Sequence, residues 1–388
     1  MIKQGSNPIG LGPLGWSSPY VRWAYSLLAI VAIAAEVTAQ ASAVRQVAVD
    51  GAVGHIREVP VMTLRPTDRG PSLAKPPNSI AVDSRGRVYL ALADAGELPA
   101  VYDRNGEFLA LIGRKGSGPG ELRSANWISV DNADTIFVLD RANGRLTVFD
   151  PAYRFVRSAP IPVGAFAMIA LPDLLVVNAA VPDVDRIGFP LHAFDRVGNV
   201  VEFLELDRPT VLPHNEDPLL RALAPSGSKH LWSATMFGPH RLERVDRQGR
   251  VVRVFELSGR WLPRKDIFRP SLPRGQPYSS VAAIREDAIG QLWVVLRVPD
   301  PRWQSGIEWP SNSPDRERRG TPVVRDYHRV FDCIIAVIDT VTSMVVASRR
   351  SDRACEAMPT AGLIATVRED GDGAQLIDIA RLRIGTER

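Results

Sequence analysis

The sequence has little of several features that would assign it to a functional class. Only two of its 388 residues are cysteine, and of its 47 basic residues only five are lysine, so 42 are arginine. The bases exceed the 43 acidic residues by four. So small an excess excludes the basic footprint of a nucleic-acid-binding protein. The excess of arginine over lysine indicates a GC-rich coding sequence and not a functional role of arginine.

Common catalytic motifs are also missing. The sequence has no Gly-x-Ser-x-Gly, Cys-x-x-Cys or His-Glu-x-x-His, and its six histidines are scattered without a metal-binding spacing. A phosphate-binding loop has Gly-Lys followed by Ser or Thr, and a helix begins there. In the glycine-rich stretch 113–120 the lysine precedes a glycine, and Pro-Gly then opens a turn. We therefore interpret it as a tight connection, and no cofactor is predicted.

The N-terminus is typical of an exported protein. Residues 23–35 form an apolar run directly after Arg22, and small residues follow, with cleavage sites near Ala41 and Ala43. A basic flank, a short apolar core and an Ala-x-Ala site predict a signal peptide over 1–43. No later stretch reaches the 18 apolar residues of a membrane span. The mature chain, 44–388, is therefore expected to be periplasmic or secreted, without a membrane span.

Both cysteines lie in this mature part. Cys333 and Cys355 are 22 residues apart. An oxidising compartment permits a disulfide between them. The sequence leaves open whether they are bonded or remain two thiols.

An internal repeat carries most of the information about the fold. Ile80-Ala-Val-Asp83 recurs as Ile128-Ser-Val-Asp131, 48 residues later. Between such marks stands a short apolar strand. Six copies of this strand are Val88–Ala91, Ile136–Leu139, Leu174–Val177, Leu231–Ala234, Leu292–Val295 and Leu363–Thr366. A period of 40–60 residues repeated six times indicates one structural unit per repeat.

The chemistry of the repeat is that of antiparallel strands. Asp-x-x-Gly turns at Asp103, Asp195 and Asp246 join β-rich runs, and no segment of 44–388 shows a capped helical period. Four short strands per repeat predict an all-β, six-bladed β-propeller in one domain. The free strand 55–64 is expected to pair into the C-terminal blade and so close the ring.

The sequence also resembles a known family. Gly116-Ser-Gly-Pro-Gly-Glu-Leu122 followed by Ile128–Asp131 is similar to the NHL-type inter-blade signature. The segments Gln291–Trp303 and Ala365–Asp370 resemble secreted bacterial six-bladed β-propeller proteins of unassigned activity, over about residues 55–385. The resemblance implies a fold and a compartment, and it brings no catalytic residues.

A long insertion provides the candidate binding residues. Residues 299–327 interrupt the fifth unit, and such long connections often carry function. Tryptophan and arginine there suit an anionic or sugar-like ligand or a protein partner. The candidates are Trp303, Trp309, Arg316, Arg318 and Arg319. A solvated, partly paired insertion explains the same residues equally well.

Two functions follow from these observations. The leading prediction is a monomeric binding module for a small molecule, glycan or protein, because no catalytic constellation is evident. The other is a metal-dependent hydrolase, lactonase or lyase with its site at the central channel. Its candidate ligands, with Ca²⁺ as the metal, are Asp83, Asn126, Asp131 and Glu286. Asp83 and Asp131 also stand in plain turn sequences, which explains them without a metal.

Overall fold

The computed structural model describes residues 44–386 except 53, 72, 74–76, 93–95, 163, 180–190, 197, 199, 202–219, 238–239, 263–276, 278 and 309–322. These residues form strands joined by turns, with three short 3₁₀ helices at Arg141–Asn143, Trp303–Gly306 and Tyr327–Arg329. Within the described ranges, no helix has the length and apolar character that a bilayer crossing requires.

The strands form six consecutive groups, called blades 1 to 6. The chain begins with β1 (Val44–Ala48) and β2 (Gly54–Leu64). Blade 1 contains β3 (Pro77–Val82), β4 (Val88–Leu92), β5 (Ala100–Tyr102) and β6 (Phe108–Leu111). The short β7 (Arg114–Lys115) and β8 (Glu121–Leu122) follow. Blade 2 contains β9 (Ala125–Val130), β10 (Ile136–Asp140), β11 (Arg145–Phe149) and β12 (Phe155–Pro160).

The next three blades repeat the pattern. Blade 3 contains β13 (Ala165–Ala170), β14 (Leu174–Ala179), β15 (Leu191–Asp195) and β16 (Val200–Val201). Blade 4 contains β17 (Arg221–Ser226), β18 (His230–Thr235), β19 (Arg241–Asp246) and β20 (Val251–Ser258). Blade 5 contains β21 (Ser280–Glu286), β22 (Gln291–Pro299), β25 (Phe331–Asp339) and β26 (Val345–Ser351), with β23 (Ile307–Glu308) and β24 (Val323–Val324) between β22 and β25.

Blade 6 is assembled from both ends of the described chain. It contains β27 (Leu363–Glu369) and β28 (Gln375–Thr386), and β2 pairs antiparallel with β28 from Gly54 opposite Thr386 to Leu64 opposite Ile377. The run Leu363–Thr366, which aligns with the second strands of the other blades, lies in β27. It is in the second-strand position of blade 6, because the segment around Ala357 pairs with its inner edge and β28 with its outer edge.

The hydrophobic core is divided among the interfaces between blades. Six clusters of buried residues join blades 1 and 2, 2 and 3, 3 and 4, 4 and 5, 5 and 6, and finally 6 and 1. Middle strands such as β4 (VYLAL) and β10 (IFVLD) are buried throughout. Since each blade is covered on both faces, its middle strands are continuous apolar runs instead of alternating ones.

Aspartate turns form one side of the ring. After the first and third strands of most blades, an Asp Oδ1 accepts hydrogen bonds from the backbone N–H groups two and four residues further on. At Asp83 the donors are Arg85 and Arg87, at 3.0 and 2.8 Å. The same pattern occurs at Asp103, Asp131, Asp150, Asp246 and Asp287, and also at Asp370 after the second strand of blade 6. The repeated aspartates of the sequence are therefore used to shape hairpins.

The first two strands connect the later blades. β1 lies parallel to β20 on the outer edge of blade 4, from Val44 opposite Val254 to Ala48 opposite Ser258. At its start, Gly54 and His55, β2 pairs with β26 of blade 5 on one edge and with β28 of blade 6 on the other. Residues 44–64 thus cover exposed edges of blades 4, 5 and 6.

Candidate functional site

A cavity of about 390 Å³ lies where the first strands of the blades meet. Its walls come from β3, β9, β13, β17 and β21, and from residues 356–361 ahead of β27. Alanines of the first strands contribute to the walls at Ala81, Ala170, Ala222 and Ala282. Short side chains at these positions leave space between strands that converge on the centre of the ring.

The segment 355–361 forms the sixth wall because it lies alongside β27. The Glu356 N–H donates to the Ala365 carbonyl at 3.0 Å, and the Ala365 N–H donates to the Ala357 carbonyl at 2.9 Å. A disulfide joins Cys355 to Cys333 of β25, with their Cα atoms 5.5 Å apart. The cysteine pairing that the sequence left open is therefore present, and it ties a wall of the cavity to the core of blade 5.

Arg285, near the end of β21, is a charged residue of the cavity wall. Its Nε donates to the Pro359 carbonyl at 3.2 Å, and its Nη1 donates to the carbonyls of Leu223 at 3.3 Å and Ile284 at 2.7 Å. Burial lowers its pKa to about 10. The guanidinium therefore remains protonated at neutral pH, and it is held among neutral carbonyl groups.

Glu356 is a second charged group of the wall, and it is only 6% exposed. Its Oε2 accepts from Arg297 Nη2 at 3.2 Å, and Arg297 also donates to the backbone carbonyls of Cys355 and Glu356. Its Oε1 has no hydrogen-bond partner among the described residues. Burial raises the pKa of this carboxyl, although the charges of Arg297 and His328 oppose the shift.

Comparisons with known proteins agree with this architecture. A family model, DUF5128, described as a 6-bladed beta-propeller, matches residues 95–174. The solved structure of a DUF4221 family member from Bacteroides vulgatus is similar, with a TM-score of 0.58 at 12% identity, covering 86% of this chain and 99% of that chain. The chain is a six-bladed β-propeller.

A second solved structure supports the same fold. A predicted exported protein from Bacteroides fragilis is similar to this propeller with a TM-score of 0.57 at 14% identity, covering 88% of this chain and all of that chain. No curated protein matches the sequence. At these identities the similarity establishes the fold of the propeller and not its activity.

The insertion of blade 5 is only partly described. Its residues 299–308 and 323–327 include Trp303, half-buried in a 3₁₀ helix whose first N–H donates to the Asp300 carbonyl at 3.0 Å. Trp309, Arg316, Arg318 and Arg319 lie outside the described residues. The predicted binding role of the insertion therefore stays a prediction.

The four candidate metal ligands lie in different surroundings. Asp83 accepts from its own turn, from Arg87 Nε and from the Tyr89 hydroxyl, and Asp131 accepts from its own turn and from Arg196. Glu286 lines the central cavity and accepts from Trp232 Nε1 at 3.2 Å.

Asn126 lies apart from that cavity. It lines a separate hollow of about 370 Å³ between blades 2 and 3. Within the described ranges, no three His, Cys, Asp or Glu residues gather in a way that could hold a metal ion. The metal-site hypothesis stays a prediction.

Arg285 and Glu356 were not among the residues that the sequence analysis selected. A signal for Arg285 was available in the repeat, because the residue after the conserved isoleucine of the first strand is Ala81 in blade 1 and Ser129 in blade 2. In blade 5 the same position is Arg285. A charged residue at a position that faces the centre of the ring is the kind of departure that indicates a site. Glu356 lies outside the repeat and had no such signal.

Proposed function

We propose that this propeller is an extracytoplasmic binding protein that holds a small organic molecule in its central cavity, and that it is not an enzyme. The cavity supports this proposal: its volume of about 390 Å³ lies within the range of about 300–1,000 Å³ that is usual for small-molecule sites. Its walls mix apolar residues with polar ones, which include Asn78, Ser129, Asn132, Arg285, Glu286 and Glu356. Polar groups placed among apolar ones fix the orientation of a bound molecule.

The insertion of blade 5 has a secondary place in this proposal. We assign Trp303, Trp309, Arg316, Arg318 and Arg319 to contacts with a larger ligand, such as a glycan or a protein partner. Tryptophan stacks on sugar rings and anchors protein interfaces, and arginine adds anion recognition. The double variant W303A/W309A is expected to keep its fold and to weaken only such contacts.

Export is the second part of the proposal. The predicted signal peptide over 1–43 supports it, and a disulfide in residues 44–388 is typical of proteins in oxidising compartments. The similar structure from Bacteroides fragilis is itself described as a predicted exported protein. N-terminal sequencing of the protein recovered from a bacterial periplasm should begin near residue 42 or 44, and an intact N-terminus would contradict cleavage.

Cavity binding is tested with a fragment library and ligand-observed NMR on the full chain. We expect some fragments to bind the wild-type protein and to lose binding in Ala170→Phe, which fills the cavity. The matched control Ala152→Phe places the same side chain on an exposed turn and should leave binding unchanged. Ala282→Phe provides a second filled cavity if Ala170→Phe does not fold. Fragments that bind both filled variants as well as wild type would refute the proposal.

The metal-dependent hydrolase, lactonase or lyase is the competing function. Metal analysis of the purified protein before and after a chelator separates the two. A stoichiometric Ca²⁺ or Zn²⁺ whose removal lowers the melting temperature would favour the enzyme and direct mutagenesis to Asp83, Asn126, Asp131 and Glu286.

A further inference from the structure

The central cavity has a positive charge, that of Arg285, which pairs with no carboxylate of the described residues. None of the described carboxylates lies within 4.0 Å of the Arg285 guanidinium, and its three hydrogen bonds all go to backbone carbonyls. Its Nη2 donates no hydrogen bond to the described residues, although Arg285 lines the cavity. The hydrogen bonds of Nε and Nη1 thus orient the guanidinium, and Nη2 can still donate to a ligand.

Several other partly buried arginines of the propeller pair with carboxylates. Arg87 pairs with Asp83 at 2.5 Å, and Arg297 pairs with Glu356 at 3.2 Å. Arg368 of β27 pairs with Asp378 of the neighbouring strand. Arg285 has no such carboxylate partner among the described residues, and it lines the cavity.

An enclosed cation without a counterion is unfavourable, so its presence needs a cause. Removing an ion even partly from water is unfavourable unless an opposite charge compensates, and Arg285 is partly buried. Burial lowers the pKa of Arg285 to about 10. At neutral pH only about one guanidinium in a thousand is therefore neutral. Deprotonation does not remove the charge, and the compensating anion has to come from outside the described residues.

The surroundings select the kind of anion. The carboxylate of Glu286 lines the same cavity, whereas that of Glu356 is paired with Arg297, so a monoanion meets less repulsion there than a dianion. Part of the remaining wall is apolar, including Ile80, Met168 and Met358. A single negative charge on an apolar body fits this combination, since Nη2 of Arg285 can donate a charge-assisted hydrogen bond to a carboxylate oxygen.

We propose that Arg285 binds the carboxylate of an organic monoanion whose apolar body fills the central cavity. This inference rests on the proposed binding function and specifies its ligand class. The carbonyls of Leu223, Ile284 and Pro359 hold the guanidinium in place before the ligand arrives, which reduces the entropy lost on binding. The segment 355–361, fixed by its disulfide, holds one of these carbonyls.

The test uses the full chain and a panel of simple probes. Hexanoate and benzoate are compared with hexanamide and benzamide, which match them in shape and lack the charge, and with sulfate and phosphate at equal ionic strength. Affinity is measured by isothermal titration calorimetry, and stability by melting temperature. We expect the carboxylates to bind and to raise the melting temperature. The amides should bind at least 10-fold more weakly, because they lose the hydrogen bond between opposite charges.

Variants then assign the effect to Arg285. Arg285→Met is expected to lower carboxylate affinity about 100-fold, and Arg285→Lys less, because a lysine keeps the charge and loses the planar fork. Arg368→Met, a control at an arginine that pairs with Asp378 and does not line the cavity, should leave carboxylate affinity unchanged. In the absence of probe, Arg285→Met is expected to melt lower than wild type, because the carbonyls of Leu223, Ile284 and Pro359 lose a donor. Partial retention of carboxylate affinity in Arg285→Lys separates the binding role from this structural loss.

Each remaining outcome would overturn the inference. Amides that bind as tightly as the carboxylates, unchanged carboxylate affinity in Arg285→Met, or a larger stabilisation by sulfate or phosphate would each refute it, as would a panel in which no carboxylate binds. Neutral fragments that bind wild type and not Ala170→Phe would still support cavity binding, so the two proposals fail separately.

Discussion

Breaking the Cys333–Cys355 disulfide should destabilise the propeller by an amount that follows from the loop it closes. The cysteines are separated by 22 residues in sequence. Closing a loop of this length removes enough conformational entropy from the unfolded chain to stabilise the folded state by about 3 kcal/mol. For a protein of this size that corresponds to a fall in melting temperature of roughly 5 °C. The double variant C333A/C355A is the direct perturbation.

Urea unfolding followed by tryptophan fluorescence measures this loss. The wild-type protein, the double variant and wild type refolded with a reductant should give the same slope with urea, and the last two should share the lower midpoint. The double variant should not respond to the reductant. A loss below about 1 kcal/mol would refute the loop-entropy argument, and a response of the double variant would trace the effect to something other than the crosslink.

Two further predictions concern the core and the turns. Trp232 is fully buried and its ring stacks on Phe255 with centroids 5.3 Å apart, so Trp232→Ala should cost about 4 kcal/mol in urea unfolding. Ile289→Ala, at a site 80% exposed, should stay within about 0.5 kcal/mol, and equal losses would contradict the core assignment. Backbone N–H groups hold the pKa of Asp103 and Asp150 below the usual range, with the N–H of Glu107 and of Arg154 as the main donors. Their contribution is complete above the unfolded pKa of about 3.9 and is lost as the pH falls through the lower folded values. Unfolding free energy should therefore fall below about pH 4 and fall less steeply in D103N/D150N; a rise on acidification would refute the sign.

Much of the fold was predictable from the sequence because each blade repeats the same chemistry. The isoleucine and aspartate of the first strand, as in Ile80–Asp83, and the buried run of the second strand recur with little change. Blade 6 follows the same rule. Ala365 of β27 pairs with Ala357 on one side and β28 lies on the other, so β27 is the second strand and has the apolar run of a middle strand.

The site was less predictable, because the features that create it are departures from the repeat. Arg285 is one arginine among 42, and only its repeat position distinguishes it. Glu356 lies in the connection to blade 6, where no repeat provides an alignment. Its role depends on the disulfide, which the spacing of two cysteines leaves undecided. Long-range placement of this kind follows from tertiary structure and not from local pattern.

The pairing of β1 and β2 has a consequence for the order in which the chain folds. Residues 44–64 are synthesised first, yet their partners are residues 251–258 and 375–386. At a synthesis rate of about 5–20 residues per second, β2 waits roughly 15–60 s for β28 to exist. Over that time a strand of 11 residues has no native partner, and such contacts between distant residues slow folding. The last step of assembly therefore joins an early part of the chain to the latest one, and a chain that ends before residue 375 leaves β2 without its main partner, β28.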